Sequence, residues 1–266
     1  MVRIGRQLLR VGRRAGPNGG TPLLLFNGIG ANIELLEPIA RLMPGRELLT
    51  FDVPGVGHSP LPRRPYRFSS IARLAAQLLD HHGHGQCDVL GVSWGGAAAQ
   101  QFAHSQTDRC RRLILSATAP GVFMVPPRLG VLLKLASPKR FMNAAYAQRV
   151  GAEIYGGAFR RDPGLAAQAF QHIRWQSRLG YYLQLAAGAG WTSLPWLRGL
   201  EQPTLVMAGA DDPIAPLPNA RLMCWLIPNA ELKVFDCGHL FLLTQPEESA
   251  RAIEEFLDRP DPRQEA

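Results

Sequence analysis

The sequence predicts an α/β fold in which a mostly parallel sheet is covered by helices on both faces. The chain has 266 residues, of which 46% are apolar, and this is enough for one large domain with a substantial core. Short apolar runs of strand length recur along the chain, and each ends at a turn-forming residue. Stretches of helical periodicity lie between these runs, and such alternation is typical of parallel sheets with two covered faces.

The apolar runs are the predicted strands, at residues 21–26, 47–51, 88–92, 112–115, 204–208 and 231–235. Ligands of open parallel sheets bind beyond the carboxyl ends of the strands. The polar residues that follow these runs are therefore candidates for chemistry, namely Asn27, Asp52, Ser93, Asp212 and His239.

Helices are predicted where apolar residues recur at three- and four-residue spacing. These segments are residues 34–42, 69–79, 95–105, 217–227 and 246–257. The long segment between the fourth and fifth strands contains no clear strand and reads as helical. An insertion of this length predicts a helical cap over the active face. We therefore assign residues 1–118 and 196–266 to an α/β core and residues 119–195 to the cap.

Large apolar side chains are frequent in the predicted cap: Phe123, Met124, Leu129, Leu132, Leu133, Phe141, Met142, Tyr146, Tyr155, Phe159, Trp175, Tyr181, Tyr182 and Trp191. One interpretation is that this segment forms a surface that adsorbs to an apolar substrate and includes Met124, Leu132, Leu133, Phe141, Tyr181 and Trp191, helped by the basic residues Arg128, Lys134, Lys139 and Arg140. The alternative is that these side chains fill the interior of the cap.

The net charge is +8 and comes almost entirely from arginine. Such a surface could attract an acidic partner, but no basic run is interleaved with aromatic residues, so nucleic acid is not expected. No stretch approaches the roughly 18 apolar residues of a transmembrane segment. The arginine-rich first residues do not resemble a secretory leader, so a cytoplasmic location is expected.

Cys87, Cys110, Cys224 and Cys237 lack metal-ligand spacing and are expected to be reduced thiols. The chain also lacks a phosphate-binding G-x-x-x-x-G-K-[ST] loop and a histidine pair with metal-ligand spacing. The sequence therefore predicts neither a cofactor nor a metal.

Ser93 is the candidate nucleophile, because residues 91–95 match the pattern G-x-S-x-G. The match is informative because an apolar strand precedes it and a helix of small residues follows it. A sharp strand-to-helix turn exposes the serine hydroxyl and leaves almost no room for neighbouring side chains. Gly91 and Gly95 satisfy that requirement.

A serine hydroxyl needs a general base, and the imidazole that serves as base needs a carboxylate to orient it. His239 alone among the histidines follows the last predicted strand and precedes the final helix. Asp211 and Asp212 both follow the strand at 204–208. We choose Asp212 as the acid, partly on the resemblance described below, and place Asp211 in the turn.

The oxyanion that develops on a substrate carbonyl needs backbone N–H donors. One donor is expected at Trp94, the residue after the nucleophile, and the other at Ile29. Ile29 lies in the loop after the first predicted strand, where Gly28 and Gly30 permit a close approach of the backbone.

Many segments of the sequence closely resemble the intracellular medium-chain-length polyhydroxyalkanoate depolymerases, which have the α/β-hydrolase fold. The matching segments are 26–32 (Phe-Asn-Gly-Ile-Gly-Ala-Asn), 51–57 (Phe-Asp-Val-Pro-Gly-Val-Gly), 91–97 (Gly-Val-Ser-Trp-Gly-Gly-Ala), Pro126, 136–138, 154–157, 159–163, 190–193, 212–216 and 238–242. The resemblance extends through the cap, where hydrolases of this fold differ most. One departure is a shorter N-terminus, which puts the first strand of the fold in question.

The resemblance implies hydrolysis of ester bonds in storage polyesters of 3-hydroxy acids, through an acyl-enzyme on Ser93, with Asp212 as the acid and His239 as the base. It also implies a hydrophobic ester substrate or a polyester granule surface in the cytoplasm as the partner, together with possible granule-coat proteins. Two alternatives remain open. One is a carboxylesterase or a 3-hydroxyacyl transacylase with the same triad, and the other is a non-catalytic granule-binding protein.

Overall fold

A seven-stranded sheet lies at the centre of the computed structural model, which describes residues 1–16, 20–162, 164–165 and 177–260. The strands of the described chain are β1 (Val2–Ile4), β2 (Gln7–Leu9), β3 (Val11–Arg14), β4 (Leu23–Phe26), β5 (Leu48–Phe51), β6 (Cys87–Val92), β7 (Cys110–Ser116), β8 (Thr204–Gly209) and β9 (Ala230–Phe235). The strand order in the large sheet is β3-β5-β4-β6-β7-β8-β9, and β1 and β2 form a separate hairpin. Strands β4 to β9 are parallel, and β3 is antiparallel to β5.

Helices cover both faces of the sheet, as the sequence predicts. The described α-helices are α1 (Glu37–Arg41), α2 (Phe68–His81), α3 (Trp94–Ser105), α4 (Leu129–Leu135), α5 (Lys139–Met142), α6 (Ala144–Tyr155), α7 (Ala158–Arg161), α8 (Arg178–Gly188), α9 (Leu217–Leu226), α10 (Phe241–Thr244) and α11 (Pro246–Leu257). Buried residues of α2, α3 and α9 share one core cluster with the sheet, and those of α1, α10 and α11 share the other. In the described part of the chain, no helix is both long and apolar enough to cross a membrane.

The predicted strands are β4 to β9, and their bounds agree with the structure to within two residues. The predicted helix at 34–42 differs from the structure, which has a 3-10 turn at Ile33–Leu36 followed by α1. Pro38 explains the difference, because it has no N–H with which to bond the carbonyl of Glu34. The α-helix therefore begins only at Glu37.

The N-terminal residues form three strands that the sequence analysis did not predict. β3 pairs with β5 through four residues, from Val11 opposite Phe51 to Arg14 opposite Leu48. The resemblance put the first strand of the fold in question, and in the structure the first strand, β1, lies outside the large sheet in the hairpin with β2. The sequence pattern does not predict these three strands, because they are only three or four residues long and include several arginines, so their apolar alternation is weak.

The chain between β7 and β8 contains α4 to α8, and an isolated antiparallel bridge between Gly121 and Thr192 brings its two ends together. Val150, Ile154 and Phe159 form a small core cluster of their own in this segment. Both features agree with a cap, although its bounds at residues 119–195 stay a prediction. Trp175 lies outside the described residues.

Candidate active site

Ser93 forms the turn between β6 and α3, since β6 ends at Val92 and α3 begins at Trp94. Its φ of 54° lies in the left-handed region, which is strained for a residue with a side chain. A Cβ atom on Gly91 would lie 2.5 Å from the Cβ of Ala99, and one on Gly95 would collide with the backbone of Phe26. The two glycines of the motif are therefore required by packing, and the turn has the geometry expected of an exposed nucleophile.

Ser93, His239 and Asp212 form one hydrogen-bonded chain. The Oγ of Ser93 lies 3.0 Å from Nε2 of His239, and Nδ1 of His239 lies 2.8 Å from Oδ2 of Asp212. His239 and Asp212 are each only 5% exposed. A carboxylate can only accept, so Nδ1 donates to Asp212, and Nε2 is then free to accept the proton of Ser93. The structure thus brings together three side chains that the sequence predicts as a set.

The neighbouring carboxylates of Asp211 and Asp212 have different partners. Oδ1 of Asp212 accepts hydrogen bonds from the amides of Ile214 and Ala215, which fixes the carboxylate while Oδ2 faces His239. Asp211 is exposed and pairs with Arg160 at 2.7 Å. The hydrogen bond from Arg160 lowers the pKa of Asp211. Of the two candidates, only Asp212 contacts the imidazole.

The end of α6 holds the loops that carry the acid and the histidine. The carbonyl of Tyr155 accepts a hydrogen bond of 2.7 Å from the amide of His239. The amide of Gly157 donates to Asp211 at 2.7 Å. Gly157 has a positive φ of 47°, and a Cβ there would collide with the backbone of Gly238. This close approach accounts for the glycine at 157, and a Cβ on Gly156 would likewise collide with the backbone of Asp211.

Ile29, in the loop after β4, lines the same cavity as Ser93. Asn27 shapes this loop through a hydrogen bond of 2.6 Å from its Nδ2 to the carbonyl of Asn32. Within the described residues, the amides of Ile29 and Trp94 donate no hydrogen bond to another protein group. Both donors are thus available for an oxyanion.

Gln184 of α8 contacts the loop that carries Ile29 and also the side chain of Trp94. The sequence analysis did not identify this residue. Its Oε1 accepts a hydrogen bond of 2.8 Å from the amide of Gly30, and its carbonyl accepts one of 2.8 Å from the indole N–H of Trp94. Gln184 is fully buried. In the sequence, Gln184 is only a polar residue between Leu183 and Leu185, and this pattern does not predict which groups its side chain bonds.

Two cavities meet at Ser93. The first has a volume of about 140 Å³, and its walls include Leu35, Leu135, Phe141, Leu185 and Leu240 together with His239 and Ile29. The second has a volume of about 240 Å³, and its walls include Phe68, Trp94, Val122, Met124 and Trp191. Ser93 and Ile214 line both. The reactive hydroxyl therefore lies between two mainly apolar spaces.

Two residues of the predicted adsorbing surface are buried instead. Tyr181 is 1% exposed and donates a hydrogen bond of 2.5 Å to the carbonyl of Leu135. Arg140 is 3% exposed and lines the first cavity. Assigning them to the surface was wrong, because residue type and helical spacing do not show which side of a short helix faces the core.

Two further candidates have structural contacts. Asp52 accepts hydrogen bonds from the amides of Ile33 and His58 and lines neither cavity. Burial raises the pKa of its carboxyl group. Cys237 is buried in the core, and its Sγ lies 3.0 Å from Oγ1 of Thr244. All four cysteines are free thiols, as predicted.

Comparison with known proteins agrees with this geometry. Residues 21–246 match the family model described as the alpha/beta hydrolase fold. The chain is 52% identical over 259 residues to the poly(3-hydroxyalkanoate) depolymerase of Ectopseudomonas oleovorans, covering 97% of this chain and 92% of that protein. It is 25% identical over 245 residues to 3-oxoadipate enol-lactonase 2 of Acinetobacter baylyi, covering 90% and 89% of the two chains.

Among solved structures, the enol-lactonase from Burkholderia xenovorans LB400 superposes with a TM-score of 0.80, covering 96% of this chain and 98% of that one. The two sequences are only 22% identical, so this likeness supports the fold alone. The family model and the relative at 52% identity show the family as well as the fold. The chain is an enzyme of the α/β-hydrolase family and a close relative of a poly(3-hydroxyalkanoate) depolymerase.

Proposed function

We propose that this ester hydrolase cleaves medium-chain-length poly(3-hydroxyalkanoate) to 3-hydroxy acids or oligomers through an acyl-enzyme on Ser93. The observation that carries the proposal is the hydrogen-bonded chain of Ser93, His239 and Asp212, which opens onto two apolar cavities. The 52% identity to a poly(3-hydroxyalkanoate) depolymerase supports the choice of substrate.

Acylation begins when the Oγ of Ser93 attacks an ester carbonyl carbon and its proton passes to Nε2 of His239. Asp212 holds the imidazole in the tautomer that can accept this proton and stabilises the imidazolium that forms. The amides of Ile29 and Trp94 donate to the oxyanion. When the ester C–O bond breaks, His239 gives its proton to the leaving alcohol, and water then releases the acid by the reverse proton route.

The two cavities suit a polyester with alkyl side chains, because one repeating unit can lie on each side of the scissile bond. Burying an alkyl chain in such walls stabilises the complex by about 25 cal/mol per Å² of apolar area. Each methylene changes affinity by only about 1–3 kcal/mol, so selection by chain length is graded. Longer side chains therefore bind better until a cavity is full.

Action at a granule surface is supported by an exposed apolar region of the cap. This region, the cap patch, consists of Val122, Phe123, Val125, Leu129, Leu132 and Leu133. Phe123 and Leu129 are each 71% exposed and Leu133 is 66% exposed. Large side chains with this exposure are costly in water, and adsorption to a polyester surface covers them.

Labelling with a fluorophosphonate tests the proposed nucleophile, since the reagent reacts with an activated serine. We expect one equivalent of label, located on Ser93 by peptide mass analysis and absent from the Ser93→Ala variant. Adding coenzyme A to the ester assay separates hydrolysis from acyl transfer. Free 3-hydroxy acid as the product in both cases supports hydrolysis, whereas a thioester product or label elsewhere contradicts the proposal.

A further inference from the structure

Arg140 is a buried cation in the wall of the first cavity, together with Ser93 and His239. Its guanidinium carbon lies 4.4 Å from the ring centroid of Phe141 and 5.4 Å from that of Tyr181. Nη1 donates a hydrogen bond of 3.3 Å to the carbonyl of Ser137. The side chain is thus held by aromatic faces and neutral oxygens beside the proposed catalytic groups.

No carboxylate pairs with this guanidinium among the described residues, and the sequence of the undescribed cap residues 163 and 166–176 contains no Asp or Glu. Tyr155 and Tyr181 are electrostatic neighbours of this guanidinium. Burial raises the pKa of Tyr155 to about 12 and raises that of Tyr181, so both phenols are neutral near pH 7. Within the described part of the chain, the charge of Arg140 is therefore not balanced by a carboxylate.

The hydrogen bonds of Arg140 are also incomplete, because its Nε–H has no partner within the described part of the chain. A buried cation without a counter-ion is destabilising, and the cost falls when an anion binds beside it. A guanidinium presents paired N–H groups that match the two oxygens of a carboxylate. The first cavity is thus built for a ligand with an apolar body and a carboxylate.

We propose that Arg140 binds the free carboxylate of the terminal 3-hydroxyacyl unit, so that the enzyme selects the carboxyl end of a chain and releases that unit as a monomer. This inference rests on the proposed polyester hydrolysis and specifies which ester bond is cut. The alkyl side chain of the terminal unit contacts Leu135, Leu185 and Leu240. Only the C2 and C3 carbons separate its carboxylate from the ester oxygen that leaves.

Ser93, His239 and water supply every atom and proton that this cleavage needs. Ser93 attacks the carbonyl of the penultimate unit, and the C–O bond to the 3-oxygen of the terminal unit breaks. His239, which lines the same cavity as Arg140, gives the proton taken from Ser93 to that oxygen. The terminal unit leaves as a 3-hydroxy acid anion, while the rest of the chain remains esterified to Ser93 until water hydrolyses it.

The test compares a 3-hydroxyoctanoate dimer that has a free carboxylate with the methyl ester of the same dimer. We expect the wild type to show a kcat/KM at least about tenfold higher on the free acid, as is typical of a charge-assisted hydrogen bond. Arg140→Met should remove this preference by lowering activity on the acid alone, and Arg140→Lys should retain part of it. Lys139→Met, the loss of an exposed neighbouring cation, is the matched control and should retain the full preference.

If the Arg140 variants do not fold, measurements on the wild type alone test whether the first cavity binds a carboxylate. Competitive inhibition by 3-hydroxyoctanoate should then be about tenfold stronger than inhibition by its methyl ester. Equal activity of the wild type on both dimers overturns the role of Arg140 and leaves the polyester function standing. A parallel loss on both dimers in an Arg140→Met variant that keeps the wild-type Tm also overturns it. Cleavage of a nitrophenyl ester with no cleavage of either dimer overturns the polyester function itself.

Discussion

Asp211 and Asp212 are neighbours in the sequence, but only Asp212 reaches His239. We expect Asp212→Asn to lower kcat by about 10⁴, because an amide favours the wrong imidazole tautomer. Asp211→Asn is the matched control, and since its ion pair with Arg160 is half exposed, it should change kcat only slightly. Steady-state kinetics on a nitrophenyl alkanoate measures both variants. A larger loss at Asp211 would reverse the assignment.

We propose that Gln184 is a positioning residue, because it accepts a hydrogen bond from the amide of Gly30, next to the proposed oxyanion donor Ile29. Gln184→Leu removes the acceptor, and we expect kcat to fall by about 10- to 100-fold as the donor at Ile29 moves, while KM changes little. Gln202→Leu makes the same substitution at a buried glutamine that bonds the carbonyl of Ala103. Equal effects of the two variants on kcat would show that only general stability is involved.

The triad could be predicted because each member follows a strand and the chain order of serine, acid and histidine is informative. The choice of Asp212 over Asp211 rested partly on the family resemblance, since both residues lie in the same turn. Gln184 and Arg140 could not be predicted as site residues. Each reaches the site from a cap helix, and sequence periodicity does not show which core loop such a helix contacts.

At the level of elements, the cap patch gives the adsorption hypothesis a defined surface. We expect the triple variant Phe123→Ser, Leu129→Ser, Leu133→Ser to lose several-fold activity on polymer suspensions, because it loses apolar area for adsorption. Activity on a soluble nitrophenyl ester and Tm should stay close to wild type, since these side chains are exposed.

Trp225→Ser is the matched control for the cap patch. Trp225 lies on α9 of the core and is 72% exposed, so its replacement also removes a large exposed apolar side chain. Polymer activity should be unchanged by this substitution. If the triple variant lost both activities together with Tm, the cap patch would be part of the folded interior and the adsorption hypothesis would fail.

The central strands were predictable because they are fully buried, so their sequences are continuous apolar runs, as in Leu23–Phe26 and Cys87–Val92. The short N-terminal strands were not, because they have only three or four residues and include several arginines, so their apolar alternation is weak. The cap helices were predicted as a group, but their faces were not. Helices as short as α5 contain too few turns for a reliable apolar stripe.

On the scale of the whole molecule, the cap and the core build the site together. Cap residues Tyr155 and Gln184 bond the loop of His239 and the loop of Gly30. We propose that a cap with these contacts positions the groups assigned to catalysis. We propose that the net charge of +8 favours approach to an acidic granule coat, in which case binding to granules should weaken as salt concentration rises.

Release of 3-hydroxy acids from a suspension of medium-chain-length poly(3-hydroxyalkanoate), compared between the wild type and Ser93→Ala, tests the proposed function most directly. We expect the wild type to release 3-hydroxy acids faster from this polymer than from a short-chain polyester. Ser93→Ala should lower turnover by about 10⁵–10⁶ and keep the wild-type fold by circular dichroism, since members of a triad act as a unit. More than a few per cent of residual activity in Ser93→Ala, or wild-type activity on the short-chain polymer alone, would contradict the account.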